Sequence, residues 1–377
     1  MVAVRSAADA APAWTGAPRE TSRIGHFTVA LLFVATVWTL GLVGMSIAQG
    51  LVGWDVRFAY LPAADLVLDG RSPYPALDDP ILLDQKGYVY PPQLLFAVLP
   101  LTPLPDAVAG TLVVAVLVAL VVATLRILGV TDLRCYAAAF LWMPTTSGLL
   151  LANISIPLAF AAAVVWKYRD AVWQPALALG LTVSAKLLFW PLLVWTLVTG
   201  RWRATAWAIA VGLGVTFAAW AAIGFDGLTG YPDLLRRLSE IQSENSYSFV
   251  GIANALGLPN GAGTAAMLLS GGSLLVLCVT FARRGDDARS FTAALGATLA
   301  LSPIVWLHYL VILLVPMAIA RPRFSAIWLL PVLLWTSPKP GYAEGIQTVL
   351  PAIAVAILLV VLLARPRPTA RPVSAAA

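Results

Sequence analysis

The sequence predicts an all-α polytopic membrane protein, and three observations carry that prediction. Hydrophobic residues fill 60% of the 377 positions and charged residues only 11%, with a mean hydropathy of +0.86, whereas a soluble domain carries about a quarter charged residues. The apolar segments run continuously through Leu, Val and Ala, without the period-two alternation of a transmembrane barrel. Helices are then the remaining way to pair every backbone N–H and C=O in lipid. At about 20 residues per crossing, about twelve helices with short loops account for the chain and leave no room for a large separate soluble domain.

The elements follow in order from charge. Residues 1–25 read as a cytoplasmic tail carrying Arg5, Arg19 and Arg23, and the apolar run 26–49 is long enough to span. No small-residue cleavage signal follows it, so it reads as an uncleaved first helix, with the N-terminus inside. Basic residues then recur in short clusters at Arg126/Arg134, Lys167/Arg169, Arg201/Arg203, Arg283/Arg284/Arg289, Arg321/Arg323 and Arg365/Arg367/Arg371. With the three N-terminal arginines these hold 17 of the 24 Lys and Arg, but share their side with only six of the 18 Asp and Glu. The net charge of +6 therefore reports topology and not a nucleic-acid partner.

Consecutive inside clusters require an even number of crossings between them. This turns 136–166, 173–199 and 291–320 into hairpins with apices at 146–153, Lys186 and 302–308. Residues 204–223 lead out to a second outer loop, 224–263, and 264–282 return; 325–336 and 346–364 bring the tail 365–377 back inside. The chain is outside after its first helix and inside at Arg126, and 107–129 supply one crossing. The Pro-rich run 90–105 is then an interfacial or re-entrant element beneath a first outer loop, 50–106. Residues 26–364 thus form one transmembrane domain with both termini cytoplasmic. No internal repeat is evident.

Two cysteines, Cys135 and Cys278, lie in apolar sequence and read as packing residues; with only His26 and His308, no zinc-ligand spacing is present. No Gly-rich phosphate loop appears, which argues against a soluble nucleotide cofactor. Asp55 stands at the outer end of the first span, immediately before an amphipathic helix that Gly70 closes; it is an N-cap or a functional carboxylate. Lys186 at a hairpin apex either snorkels to the headgroups or serves a site, since an ionisable residue inside an apolar hairpin is costly. His308 reads from position alone as a core histidine. Asp65 and Asp69, four apart, face solvent more readily than they hold a cation, so no metal is expected. Residues 233–241 have helical apolar spacing and should lie on the membrane surface, with Glu240 and Glu244 exposed.

The order of these motifs is similar to a known family. An Asp after the first helix, an aromatic-rich amphipathic helix ending Leu68-x-Gly70-x-x-Pro73-Tyr74, then Tyr90-Pro91-Pro92, resembles glycosyltransferase family 87. Lys186 after a short hydrophobic helix and Ser302-Pro303-Ile304-Val305-Trp306-Leu307-His308 agree with it. Of the family's Gly-Gln-x-Asn element only Asn153 carries over. The best-known members are actinobacterial α-1,2-mannosyltransferases that use polyprenyl-phosphate mannose. The resemblance implies the GT-C glycosyltransferase fold, with an extracytoplasmic first-loop helix and an active site at the outer face of a bacterial plasma membrane. It implies Asp55 as catalytic base, Lys186, His308 and Arg57 at the donor phosphate, and Tyr60, Tyr74, Tyr90, Asn153 and Trp306 as substrate-binding residues. Its partners are a polyprenyl-phosphate sugar, a glycolipid or glycan acceptor and membrane lipids, with mannose favoured over arabinofuranose. A rival expectation is a transporter or flippase of lipid-linked sugars, which should show repeats and paired charges at the midplane.

Overall fold

The structure is a computed structural model that describes residues 19–50, 52–243, 246–336 and 345–364. No strand occurs among them. Helix α1 (Arg19–Ala48) is followed by the first-loop helix, a π turn over Val56–Tyr60 running into α2 (Leu61–Leu68). The Pro-rich run holds only α3 (Gln93–Val98) and a 3-10 turn, Leu99–Leu101. At about 1.5 Å per residue this is too short to cross a hydrocarbon core of about 30 Å, in keeping with a re-entrant or interfacial element. Helix α4 (Asp106–Ile127) then begins directly after Pro105.

The expected first hairpin is α5 (Leu133–Leu141), α6 (Met143–Leu151) and α7 (Ser155–Lys167), with α6 and α7 bent by 118° at residues 152–154. The second is α8 (Trp173–Ala185) and α9 (Trp190–Val198), joined through Lys186 and the 3-10 turn Leu187–Phe189. Helix α10 (Trp202–Ala222) leads to α11 (Tyr231–Gln242) and α12 (Phe249–Ala255), and α13 (Ala262–Arg283) returns. The third hairpin is α14 (Asp287–Ala300) against the 3-10 segment Leu307–Leu313 and α15 (Leu314–Ala320). A 3-10 segment, Ala326–Thr336, and α16 (Val349–Ala364) complete the order.

Among the described residues, four helices are long and apolar enough to cross a membrane: Gly25–Ala48, Asp106–Ile127, Trp202–Ala222 and Ala262–Arg283, or five spans with the bent pair. Charge patterning leads to about twelve, and the difference lies in the hairpins. Their arms are short because polar residues break them: α8 has 13 residues and α9 has nine, or about 20 and 14 Å. Such broken backbone is tolerated at membrane depth where protein buries it or where it lines a cavity. Residues 1–18 of the N-terminal tail and the whole tail 365–377 lie outside the described residues, as does Glu244.

The interior is packed by Trp142, Trp195, Trp328, Phe189 and Phe291, all fully buried. Trp166 and Trp195 meet the Phe291 ring at 5.1 and 4.8 Å between centroids. Helices α8 and α10 approach through glycines: a Cβ on Gly180 would stand 2.6 Å from the Ala208 carbonyl oxygen. Small residues that let backbones touch are the usual interface of membrane helices. Cys135 and Cys278 are buried and unpaired.

At the end of the fold where the sequence places the cytoplasm, ion pairs clamp the loops. Arg201 bridges Asp287 at 2.5 Å and Asp170 at 3.0 Å, and its Nε donates to the Arg169 carbonyl. Asp132 caps α5, pairs with Arg134 at 2.8 Å and accepts from the Phe324 amide. The Arg134 hydrogen bond holds the Asp132 carboxyl down at about 2.

Candidate active site

Pro62 explains how the first-loop helix presents its side chains. Lacking an N–H, it gives no bond to the carbonyl four residues back, and its ring crowds that carbonyl. The turn before it opens to the π form, with the Leu61 amide reaching back five residues to the Val56 carbonyl. In an α-helix, residues five apart stand about 140° apart around the axis. The wider π turn brings Asp55 and Tyr60 toward one side; single π turns of this kind recur at functional sites.

Gly53 fixes where that helix starts. Its φ is +74°, its amide donates to the Leu150 carbonyl at 2.8 Å, and a Cβ there would meet Gly110 Cα at 2.7 Å. Only glycine meets both demands. The loop is thereby docked on α4 and on the end of α6, three residues from Asn153. Ala152 ends α6 in the left-handed region, and the Asn153 amide closes back on the Gly148 carbonyl.

The Asn153 side chain is then fixed at both ends. Its Oδ1 accepts from the Ser155 amide at 2.9 Å and from Ser155 Oγ at 2.7 Å, so its Nδ2 is left to donate to Asp55 Oδ2, at 2.6 Å. Asp55 makes no capping hydrogen bond with its side chain, so the N-cap alternative is not realised. Burial pushes the Asp55 carboxyl up to about 6, against the opposing pull of the Asn153 hydrogen bond and the Lys186 charge.

Lys186 has extended backbone between α8 and the following 3-10 turn. Its Nζ is enclosed without a hydrogen-bond partner, 3.4 Å from the centre of the Tyr309 ring and 5.6 Å from that of Tyr90. It has not snorkelled to water. His308 is buried with both ring nitrogens unpartnered, edge-on to Tyr309 at 5.0 Å, and within electrostatic reach of Lys186. The Tyr60 hydroxyl is buried beside the Asp55 carboxylate without a hydrogen bond of good geometry, and its ring meets Tyr90 at 5.6 Å. Buried polar atoms in native proteins nearly always find partners. Two side chains lacking them, Lys186 within electrostatic reach of the Asp55 carboxylate and His308 within reach of Lys186, mark a place for a polar ligand.

Other residues singled out in the sequence stand apart. Arg57 Nη1 donates to the Gly50 carbonyl at 2.6 Å and its stem packs on Gly110, so it braces the loop and forms no ion pair with Asp55. The Tyr74 hydroxyl donates to the Tyr90 carbonyl at 3.1 Å, and its ring stacks on Trp220 at 5.4 Å. Tyr88 donates to the Pro91 carbonyl and Tyr231 of α11 to that of Val89. Three tyrosine hydroxyls thus pin 89–91 and aim the Tyr90 ring. Trp306 is half-buried, and its carbonyl accepts from the Tyr309 amide. Among the described residues no group of three His, Cys, Asp or Glu could hold a metal ion.

Two residues in the cluster escape sequence reasoning. Tyr309 sits in an apolar run and reads as packing. Gln93 follows Pro91-Pro92; its Nε2 donates to the Ser184 carbonyl, two residues before Lys186, and its Oε1 is buried without a partner.

The class that this fold and cluster define is an integral-membrane protein with a buried polar site at its helix breaks. A family model, glycosyltransferase family 87, matches residues 88–306. That is more than half of the chain, so the protein belongs to this family and is a membrane glycosyltransferase, acting between a sugar donor and an acceptor. The matched region contains Tyr90, Asn153, Lys186 and Trp306; Asp55, Arg57, Tyr60 and Tyr74 precede it and His308 lies just beyond it. No curated protein and no solved structure matches the chain.

Proposed function

We propose that the protein transfers a hexosyl residue, mannose by its family resemblance, from a polyprenyl-phosphate sugar to a glycolipid or glycan acceptor. The reaction takes place at the outer face of a bacterial plasma membrane. A GT-C arrangement of about twelve crossings, with both termini cytoplasmic, accompanies this reading. The observation that carries it is the Asp55 carboxylate, held by Asn153 Nδ2 at 2.6 Å, within electrostatic reach of an enclosed Lys186 ammonium that has no hydrogen-bond partner.

Asp55 takes the proton of the acceptor hydroxyl as that oxygen bonds to the anomeric carbon. The bond from the anomeric carbon to the phosphate oxygen breaks, and the lipid phosphate leaves as an anion. Lys186, with His308 beside it, stabilises the charge that develops there. One carboxylate acting as base in a single displacement inverts the anomeric carbon. Tyr60, Tyr90 and Asn153 wall the sugar, while Arg57 and Tyr74 brace the loop that carries Asp55. A lipid-linked donor suits an outward-facing site, where cytosolic nucleotide sugars are absent.

The test is transfer of labelled sugar from polyprenyl-phosphate mannose by purified protein in lipid nanodiscs. Asp55→Asn should lose transfer by at least about a hundredfold, the scale of a general base, while remaining folded. Undiminished transfer by that variant would remove Asp55 from the mechanism, and movement of intact donor without transfer would favour a flippase.

A further inference from the structure

We infer that Tyr309 is a positioning residue whose ring face holds the Lys186 ammonium ready for the donor phosphate. The inference rests on the phosphate role proposed for Lys186 and adds the residue that aims it. A lysine ammonium is a point charge on a flexible four-carbon stem, and here no hydrogen bond orients it. It is drawn instead to two aromatic faces: the Tyr309 centroid is 3.4 Å from Nζ and that of Tyr90 is 5.6 Å away. Both lie within the reach of cation–π attraction, which strengthens as the cation is desolvated.

The platform is rigid where the lysine is flexible. Tyr309 is 7% exposed, its amide is bonded to the Trp306 carbonyl at 2.9 Å, and the His308 ring packs on it at 72°. The choice of an aromatic surface also has a chemical consequence. A carboxylate in this place would take up the N–H donors of the ammonium and cancel its charge, whereas a π face attracts the cation and leaves those donors free for phosphate oxygens. Tyr309 acts only through Lys186, so its effect belongs to donor binding and not to the chemical step.

The experiment measures two quantities in nanodiscs: affinity for farnesyl phosphate, which needs no transfer, and donor KM and kcat. Tyr309→Leu should weaken farnesyl phosphate binding and raise donor KM by about thirtyfold, the scale of a desolvated cation–π contact, with kcat within about twofold. Tyr309→Phe, which keeps the ring, should behave as the parent. In a Lys186→Met background, Tyr309→Leu should have no further effect. The inference is overturned if Tyr309→Leu binds farnesyl phosphate like the parent, if Tyr309→Phe is as weak as Tyr309→Leu, or if the Lys186 and Tyr309 effects add. Should Tyr309→Leu not fold, stepwise fluorination of a phenylalanine at 309 drains the ring face without changing its shape. Affinity should fall with each fluorine, and a flat series overturns the inference. Failure of the transfer reading shows separately, as transfer by Asp55→Asn with this binding pattern intact.

Discussion

Asp55 is a carboxylate placed where ionisation is resisted, and that fixes how it should respond to pH and to substitution. Burial raises its carboxyl to about 6, so in the proposed role of base it is ionised only above that pH. The acid limb of kcat/KM against pH should fall near 6 instead of near the ordinary carboxylate value. Asn153 pulls this pKa down through its hydrogen bond, so in Asn153→Ala the limb should move upward by about one unit, one unit being about 1.4 kcal/mol. A limb that stays in place would dissociate Asn153 from the base. Stability runs the other way. With its folded pKa raised, Asp55 favours the fold fully below about 4 and loses that contribution as pH rises through about 6. Asp55→Asn, neutral throughout, should therefore unfold at pH 7 at the parental temperature or above it. Residues of this kind are legible when their chemistry contradicts their surroundings: Asp55 at a span end, Lys186 within an apolar hairpin. Tyr309 offers no contradiction, since an aromatic in an apolar run is ordinary packing.

At the scale of elements, breaks in helices do as much as helices. Pro62 opens the π turn, Gly53 lets the first loop touch α4, and Lys186 and 302–308 interrupt hairpins whose arms would otherwise continue. The hairpin apices are visible in the sequence as polar residues between basic clusters, and the short Pro-rich run is visible through its prolines. The π turn is not, because Pro62 could equally have stood at the first turn of an ordinary helix. Helix contacts are also hidden. Gly180 looks like any glycine, yet its Cα lies under the Ala208 carbonyl of α10. Gly180→Val would put a Cβ 2.6 Å from that oxygen and should destabilise the protein by about 1–3 kcal/mol, lowering its thermal midpoint in detergent. An unchanged midpoint would mean that the two helices do not meet so closely.

At the scale of the whole molecule, the two faces are built differently. Arg201, Asp170 and Asp287 clamp one end, while the two loops that the charge pattern places outside are joined where Gln242 of α11 donates to the Leu82 carbonyl and Gln85 donates to Gln242. The positive-inside rule assigns the clamped end to the cytoplasm. In a protein cleared of Cys135 and Cys278, Arg236→Cys should react with a membrane-impermeant maleimide on intact cells and Arg284→Cys only after permeabilisation. The reverse pattern would invert the topology and place the site inside. By itself the sequence determined the helical membrane class and singled out Asp55, Asn153 and Lys186, because apolar composition and misplaced ionisable groups are local properties of the chain. Only the tertiary structure decided that Arg57 and Tyr74 turn away while Tyr309 and Gln93 join the cluster. Direction depends on which backbone carbonyls and ring faces lie within reach after packing, and these are supplied by segments as far apart in the chain as Tyr74 and Trp220 or Lys186 and Tyr309.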